Sequence, residues 1–159
     1  MIIADTNVVS ELMRPSPSQV VREWAGRQAA GGLRTSAITV AEIRYGLERL
    51  PDGYRKDRLV AAASEVFAAF SEYVLPFDAD AAAHYAVIVA HRDRVGLPIE
   101  GFDAQIAAIC RARLRKGDHV EGGARPPRPG AESGAALATR NIKDFRETGI
   151  DLIDPWQPG

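Results

Sequence analysis

Short apolar runs alternate with segments of helical spacing along most of the chain, and this alternation restricts the possible folds more than any other feature of the sequence. The runs predict strands at residues 2–4, 33–38, 74–77, 136–139 and 151–153. The segments between them carry apolar residues three and four positions apart, which is typical of helices with one buried face. Strands that alternate with helices favour a parallel sheet covered by helices on both faces, so we predict an α/β fold with three α/β/α layers.

Proline, glycine and capping residues set the predicted limits of the helices. Residues 15–18 (Pro-Ser-Pro-Ser) interrupt the chain and supply a cap for the second helix, which Gly31 and Gly32 close. The predicted helices pass through Val8, Val9 and Leu12, through Val20, Val21 and Trp24, and from Thr39 to Leu50, and they cover residues 55–73, 79–94 and 101–114. Residues 142–147 are expected to form at most a short helix.

The length of the chain fits a single domain over residues 1–159, in which the Gly- and Pro-rich segment 117–134 is expected to be an exposed loop. The one cysteine, Cys110, lies among apolar residues and is expected to be a buried thiol, which fits a reducing cytoplasm. We expect neither a signal peptide nor a membrane span, because the sequence offers no suitable apolar run. The formal net charge of −1 is not typical of a nucleic-acid-binding protein, although clustered acids that hold a divalent ion would change its sign.

Asp5 directly follows the first apolar run, so it lies at the carboxyl end of the first predicted strand. In open α/β sheets ligands bind beyond the carboxyl ends of the strands, where loops and helix N-termini meet. Asp5, Thr6 and Asn7 are also good helix N-caps. This motif alone therefore does not decide between a binding site and a cap.

Glu42 has a strong structural interpretation, because residues 39–42 (Thr-Val-Ala-Glu) match the capping box, in which the glutamate reaches back to the N-cap amide. Gly46 lies one turn further along the same face, in the middle of the predicted helix, where glycine costs about 1 kcal/mol relative to alanine. We therefore expect another group to approach this face closely.

Asp103 is the most informative acid, because helical spacing places it on the same face as Ile106, Ala107 and Cys110. Interaction with the helix N-terminus would stabilise this carboxylate by only about 0.3–1 kcal/mol at an exposed site. Burial of an unpaired charge costs several times more. A bound cation is therefore the better explanation of an acid at the head of an apolar face.

A fourth polar segment follows the fourth predicted strand, where Thr139 can orient a water molecule or an acid. Together, four segments resemble the PIN-domain ribonucleases, in particular the VapC-type toxins of bacterial toxin–antitoxin pairs. These segments are residues 5–7 (Asp-Thr-Asn), 41–46 (Ala-Glu-Ile-Arg-Tyr-Gly), 103–108 (Asp-Ala-Gln-Ile-Ala-Ala) and 138–141 (Ala-Thr-Arg-Asn). Their order, and their positions at strand ends and helix starts, are more specific than any one of them.

The resemblance implies a PIN-like α/β/α domain with a central parallel sheet and an endoribonuclease site that uses Mg²⁺, with Mn²⁺ as a substitute. Asp5, Glu42 and Asp103 match the metal-binding acids of the family, and Asp5 and Asp103 are the expected direct ligands. Glu42 would bind a metal ion or position the attacking water. Such a site would hydrolyse RNA phosphodiester bonds with a water molecule that the ion activates.

Other polar residues would complete this site. Thr6, Asn7 and Thr139 are expected to support the acids. The fourth acid of the family falls at or close to Asn141, where this chain has an amide, and Asp144 follows three residues later. We expect one well-held metal ion, with the fourth position open between these two residues.

Arg44, Arg140 and Lys143 are the first candidates for contacts with RNA phosphates. The resemblance also implies a cognate antitoxin, which is a small DNA-binding protein, and a homodimer. One alternative is a catalytically silent PIN-like module that binds RNA or protein, which the amide of Asn141 favours. Another is a carboxylate-metal phosphatase or a phosphoacceptor receiver domain, although neither of these needs Glu42 on a capped helix.

Overall fold

The computed structural model describes residues 1–29, 31–70, 72–113 and 135–157. Within these ranges, all strand pairs are parallel and belong to one sheet. The strands are β1 (Ile2–Ala4), β2 (Leu33–Ser36), β3 (Val74–Leu75), β4 (Ala136–Ala138) and β5 (Asp151–Ile153). Their order in the sheet is β3-β2-β1-β4-β5, so β1 lies at the centre, between β2 and β4. The predicted parallel sheet is confirmed.

Helices cover both faces of this sheet. The helices in the described ranges are α1 (Thr6–Leu12), α2 (Gln19–Gly26), α3 (Ala37–Glu48), α4 (Tyr54–Ala69), α5 (Ala79–Arg94) and α6 (Gly101–Ala112). Successive strand residues point to opposite faces. Ile3 and Leu137 therefore pack with α5 and α6, whereas Ala4 and Ala138 pack with α1 to α4. Two apolar clusters separated by the sheet confirm the three-layer α/β/α prediction.

The end of β2 and the start of α3 differ from the prediction. We expected a strand over residues 33–38 and a helix from Thr39, but the strand ends at Ser36 and the helix begins at Ala37. Ser36 is the N-cap, and its Oγ accepts a hydrogen bond from the Thr39 amide at 3.0 Å. The capping box predicted at residues 39–42 is therefore wrong, because Thr39 already lies inside the first turn.

Several other elements are shorter than predicted. α2 ends at Gly26 instead of extending to Gly31, and the Arg27 amide still bonds to its last turn. Ser18 occupies the N-cap position of α2, but its hydroxyl makes no capping bond. The predicted helix over 55–73 ends at Ala69, the strands at 74–77 and 136–139 end at Leu75 and Ala138, and residues 142–147 form turns.

The Cys110 thiol is buried, as predicted, and burial raises its pKa far above the ordinary value. Over the described ranges, none of the helices has the length and apolar character needed to cross a membrane. The predicted loop at 117–134 and the last residue of the predicted helix 101–114 lie outside the described residues.

Candidate metal centre

Asp5 is fixed at the carboxyl end of β1, where it is also the N-cap of α1. Only 3% of this residue is exposed. Its Oδ1 accepts a hydrogen bond from the Thr6 amide at 2.7 Å. Its Oδ2 accepts bonds from Asn7 Nδ2 at 2.6 Å and from Thr139 Oγ1 at 2.7 Å. The cap and binding interpretations of this segment are thus compatible, because the same carboxylate caps α1 and faces the edge of the sheet.

Asn7 and Thr139 connect the start of α1 to the end of β4. Asn7 Nδ2 donates to Thr139 Oγ1 at 3.1 Å, and Asn7 Oδ1 accepts from the Arg140 amide at 3.1 Å. The Asn141 amide donates to Thr139 Oγ1 at 3.0 Å. The structure therefore places Thr139 and Asn7 around Asp5, where both hold the carboxylate in one orientation.

Glu42 joins this group through Thr6, whose Oγ1 donates a hydrogen bond to Glu42 Oε2. Since Ser36 caps α3, the Glu42 carboxylate is not engaged at the helix N-terminus. Gly46, one turn further along, faces open space: no atom lies within 4 Å of the position that a Cβ would occupy. Among the described residues, no group of this chain outside α3 therefore approaches Gly46, and the close approach of another group to this face stays a prediction.

Asp103 lies in the first turn of α6 and is half-buried. Ile106, Ala107 and Cys110 on the same face are fully buried, as predicted. The pKa of the Asp103 carboxyl is raised to about 6, first by burial and then by the negative charges of Asp5, Glu42, Asp144 and Glu100. The sheet thus brings the three predicted acids close enough to repel one another.

Burial also raises the pKa of Asp5, and the charge of Glu42 adds to this effect. The hydrogen bonds from Thr139, Thr6 and Asn7 oppose it, because they stabilise the ionised carboxylate. The chain therefore supplies donors that favour the charged form of Asp5 and offset part of the effect of burial.

The possible ligands at this site are carboxylate, hydroxyl and amide oxygens, which fit a hard divalent cation. The negative charges of the carboxylates repel one another. A cation would remove the repulsion that raises the pKa of Asp103. Among the described residues, no group of three or more acidic, histidine or cysteine side chains is arranged so that it could hold a metal ion by itself. Mg²⁺ usually takes only one or two protein carboxylates and keeps several waters.

The two candidates for the fourth position, Asn141 and Asp144, are exposed residues of one turn. The Asp144 amide donates to the Asn141 carbonyl at 3.0 Å, so the two residues belong to the same turn after β4. The charge of Asp144 contributes to the raised pKa of Asp103. The Asn141 backbone amide is bonded to Thr139 Oγ1, and Asn141 is exposed.

The three predicted RNA-binding cations lie in different surroundings. Arg44 is two positions from Glu42 on α3, which places it on the opposite side of that helix, and its guanidinium lies 5.7 Å from the Phe67 ring. Arg140 follows Thr139 directly, and its guanidinium lies 5.3 Å from the centre of the Trp156 ring. Lys143 is exposed in the turn after β4.

Two residues that matter for the site were not identified from the sequence. Ser36 frees Glu42 from a capping role, and its position three residues before Thr39 matches the usual spacing of an N-cap bond. Trp156 holds Arg140, but no local pattern relates two residues on separate segments after β4 and β5. The sequence thus carries a local signal for Ser36, although Thr39 is an equally suitable cap, and it carries none for Trp156.

The fold and the site together define an α/β/α protein in which acids gather at the carboxyl edge of a parallel sheet. The PIN-domain family model matches residues 2–116. The chain belongs to the PIN-domain family, within its VapC-type ribonucleases.

Relatives match the chain over almost its full length. It is similar to VapC ribonuclease Y4jK of Sinorhizobium fredii, with 37% identity over 99% of both chains. It is also similar to toxin FitB of Neisseria gonorrhoeae, with 31% identity over 98% of this chain and 99% of the relative. The solved structure of FitAB bound to a DNA fragment matches with a TM-score of 0.80 at 30% identity, over 100% of this chain and 98% of the other.

Proposed function

We propose that this protein is a Mg²⁺-dependent endoribonuclease, the toxin of a toxin–antitoxin pair, in which Asp5, Glu42 and Asp103 hold the metal ion. The observation that carries this proposal is the convergence of these acids: Thr6 bonds to both Asp5 and Glu42, and the charges of these two acids act on Asp103. The name of the S. fredii relative supports RNA as the substrate. The name of the N. gonorrhoeae relative supports the toxin role.

Each acid has a distinct function in this proposal. Asp5 is the best-ordered ligand, because three hydrogen bonds fix both of its oxygens. Asp103 is the second direct ligand, and the N-terminus of α6 stabilises its charge. Glu42, held by Thr6, binds the metal ion or positions the attacking water. When bound, a divalent ion supplies the positive charge that stabilises the phosphate and lowers the pKa of a water molecule.

The remaining predicted residues act around this centre. Asn141 completes it with a neutral oxygen, and Asp144 supports it with a charge at slightly greater distance. Arg140 and Lys143, on the same segment after β4, contact RNA phosphates. We also propose that residues 1–159 form one domain, because β1 pairs with both β2 and β4.

A cleavage assay with purified protein tests the enzymatic part of the proposal. The wild-type protein should cleave RNA in Mg²⁺ or Mn²⁺ and stop when the ions are chelated, whereas Asp5→Asn and Asp103→Asn should abolish cleavage without loss of fold. Asp93→Asn is the matched control, since this exposed aspartate lies on α5 outside the acidic site. Full cleavage by either site variant would overturn the assignment, and a folded wild-type protein that binds RNA without cleaving it would favour the silent module.

The partner part of the proposal concerns a cognate antitoxin, a homodimer and a cytoplasmic location. The solved FitAB complex on DNA supports a DNA-binding partner. We infer that the antitoxin places a basic side chain in the acidic site, where it substitutes for the metal charge. Overproduction should arrest growth, and co-expression of the small protein encoded next to this chain should restore it. Harmless overproduction of folded protein would contradict the toxin role.

A further inference from the structure

Arg140 occupies an unusual position for a cation beside an acidic site. It follows Thr139, whose hydroxyl holds Asp5, and its own amide donates to Asn7, which holds Asp5 as well. Within the described part of the chain, Arg140 forms no ion pair with a carboxylate. Its guanidinium lies instead over the Trp156 ring, at 5.3 Å from the ring centre.

Trp156 is well placed to hold this guanidinium. The ring packs against the apolar cluster of α1 to α4, and the Trp156 amide donates to Asp154 Oδ1 at 3.0 Å. The distance to Arg140 is inside the roughly 6 Å range in which a cation is attracted by an aromatic face. Trp156 is only partly buried and Arg140 is exposed, so the guanidinium above the ring keeps access to solvent.

From this arrangement we infer that Arg140, positioned by Trp156, binds a phosphate of the RNA next to the one that is cleaved. The inference rests on the proposed ribonuclease function and extends it. An arginine free to reach the carboxylates of the site would pair with them and reduce the charge that a divalent ion needs. The Trp156 ring keeps the guanidinium apart from the acids, so that both the metal ligands and the phosphate donor remain available.

The backbone of Arg140 is tied to the metal centre by short links. Its amide is bonded to Asn7 Oδ1, and Asn7 Nδ2 is bonded to Asp5 Oδ2. The backbone of Arg140 is thus held between the end of β4 and the start of α1, and the Trp156 ring orients its guanidinium. Arg140 is a substrate-binding residue in this scheme, and Trp156 is a positioning residue.

The test measures RNA binding separately from cleavage. Fluorescence anisotropy with a short labelled single-stranded RNA is recorded at several salt concentrations, with every variant made in the full-length Asp103→Asn protein. Arg140→Gln should weaken binding roughly fivefold to tenfold and reduce the slope of log K against log salt by about 0.7, the value for one phosphate contact on a single strand. Arg140→Lys should recover part of the affinity, because it keeps the charge.

Trp156 variants distinguish positioning from charge alone. Trp156→Phe should bind RNA almost as tightly as the parent protein, and Trp156→Leu should lose affinity and salt slope although every charge is kept. Thermal denaturation checks that both variants are folded, and Trp156→Phe keeps the test informative if Trp156→Leu unfolds. Equal affinities for folded Phe and Leu variants would overturn the positioning role.

Arg58→Gln is the matched control, because Arg58 also lies over an aromatic ring, Tyr54, at 5.6 Å, on the exposed surface of α4. This variant should bind RNA as tightly as the parent. Unchanged affinity and salt slope in Arg140→Gln, or an equal loss in Arg58→Gln, would overturn the inference. If the wild-type protein still cleaved RNA, the ribonuclease function would stand without it. Absence of both RNA binding and cleavage in the wild-type protein would overturn the two together.

Discussion

Thr6 donates a hydrogen bond from its Oγ1 to Oε2 of Glu42, and this bond joins the first turn of α1 to α3. The bond fixes Glu42 through Thr6, which directly follows Asp5 in the chain. The orientation of Glu42 therefore depends on the same short segment that orients Asp5.

Removal of the Thr6 hydroxyl should reduce metal affinity. In Thr6→Val the Glu42 carboxylate loses its donor, and partners of metal ligands typically contribute roughly 10- to 100-fold to affinity or activity. We expect the Mg²⁺ concentration for half-maximal RNA cleavage to rise by at least about tenfold. Thr6→Ser is the control and should behave as the wild type, so equal Mg²⁺ dependence of the two variants would argue against this role.

The metal-free protein should lose stability as the pH rises. The pKa of Asp103 is raised from its ordinary value of 3.8 to about 6, so the folded state holds the proton more tightly than the unfolded state does. The free energy of unfolding should therefore fall between about pH 4 and pH 6 and remain lower above that range. Asp5, whose pKa is also raised, acts in the same direction.

Urea denaturation in a chelator, at about pH 4.5 and about pH 7, measures this difference. Asp103→Asn should make the pH dependence shallower and raise stability at the higher pH, because it removes a repelled charge. Added Mg²⁺ should stabilise the wild-type protein at the higher pH. A variant with the same pH dependence as the wild type would show that Asp103 titrates normally.

The turn after β4 gives a prediction for the fourth position. Asn141→Asp should tighten Mg²⁺ binding and leave cleavage unchanged or faster, because a carboxylate adds the charge that the amide lacks. Asp144→Asn should cost less activity than Asp103→Asn, since Asp144 acts on Asp103 through its charge. The Mg²⁺ dependence of cleavage is compared for the three variants. A loss at Asp144 as deep as at Asp103, with no response at Asn141, would make Asp144 the fourth acid.

Arg92 should stabilise the fold without taking part in catalysis. Only 3% of this residue is exposed, and its guanidinium donates to the carbonyls of Leu97, Pro98 and Arg146. It thereby joins the segment before α6 to the segment that carries Asp144. Arg92→Met leaves these carbonyls short of donors and should lower the free energy of unfolding by about 2–4 kcal/mol.

Chemical denaturation in urea tests this prediction. Arg94→Met, which changes an exposed arginine on the same helix, should alter the free energy of unfolding by less than about 0.5 kcal/mol. Arg92→Lys should also be destabilised, because one ammonium group cannot serve carbonyls on two separate segments. Wild-type stability in Arg92→Met would show that solvent replaces these bonds.

The sequence alone determined the type and order of the elements, because those depend on interactions between near neighbours. The helix predicted over residues 79–94 is α5, and the structure gives it the same limits, Ala79–Arg94. The central strand β1 was predicted correctly from three apolar residues. The sequence also singled out Asp5, Glu42 and Asp103, and the structure brings their carboxylates together, whereas their role as metal ligands stays a prediction.

Tertiary structure decided between local structures that the sequence makes equally favourable. Ser36 and Thr39 are both suitable N-caps, and the choice follows from the sheet, because Ser36 pairs with Leu75 of β3 and ends the strand there. The bonds from Thr6 to Glu42 and from Thr139 to Asp5 join segments that are far apart in the chain. These bonds depend on the order of the strands, and so do the raised pKa of Asp103 and the position of Arg140 over Trp156. Local spacing does not specify that order, because it acts over only a few residues.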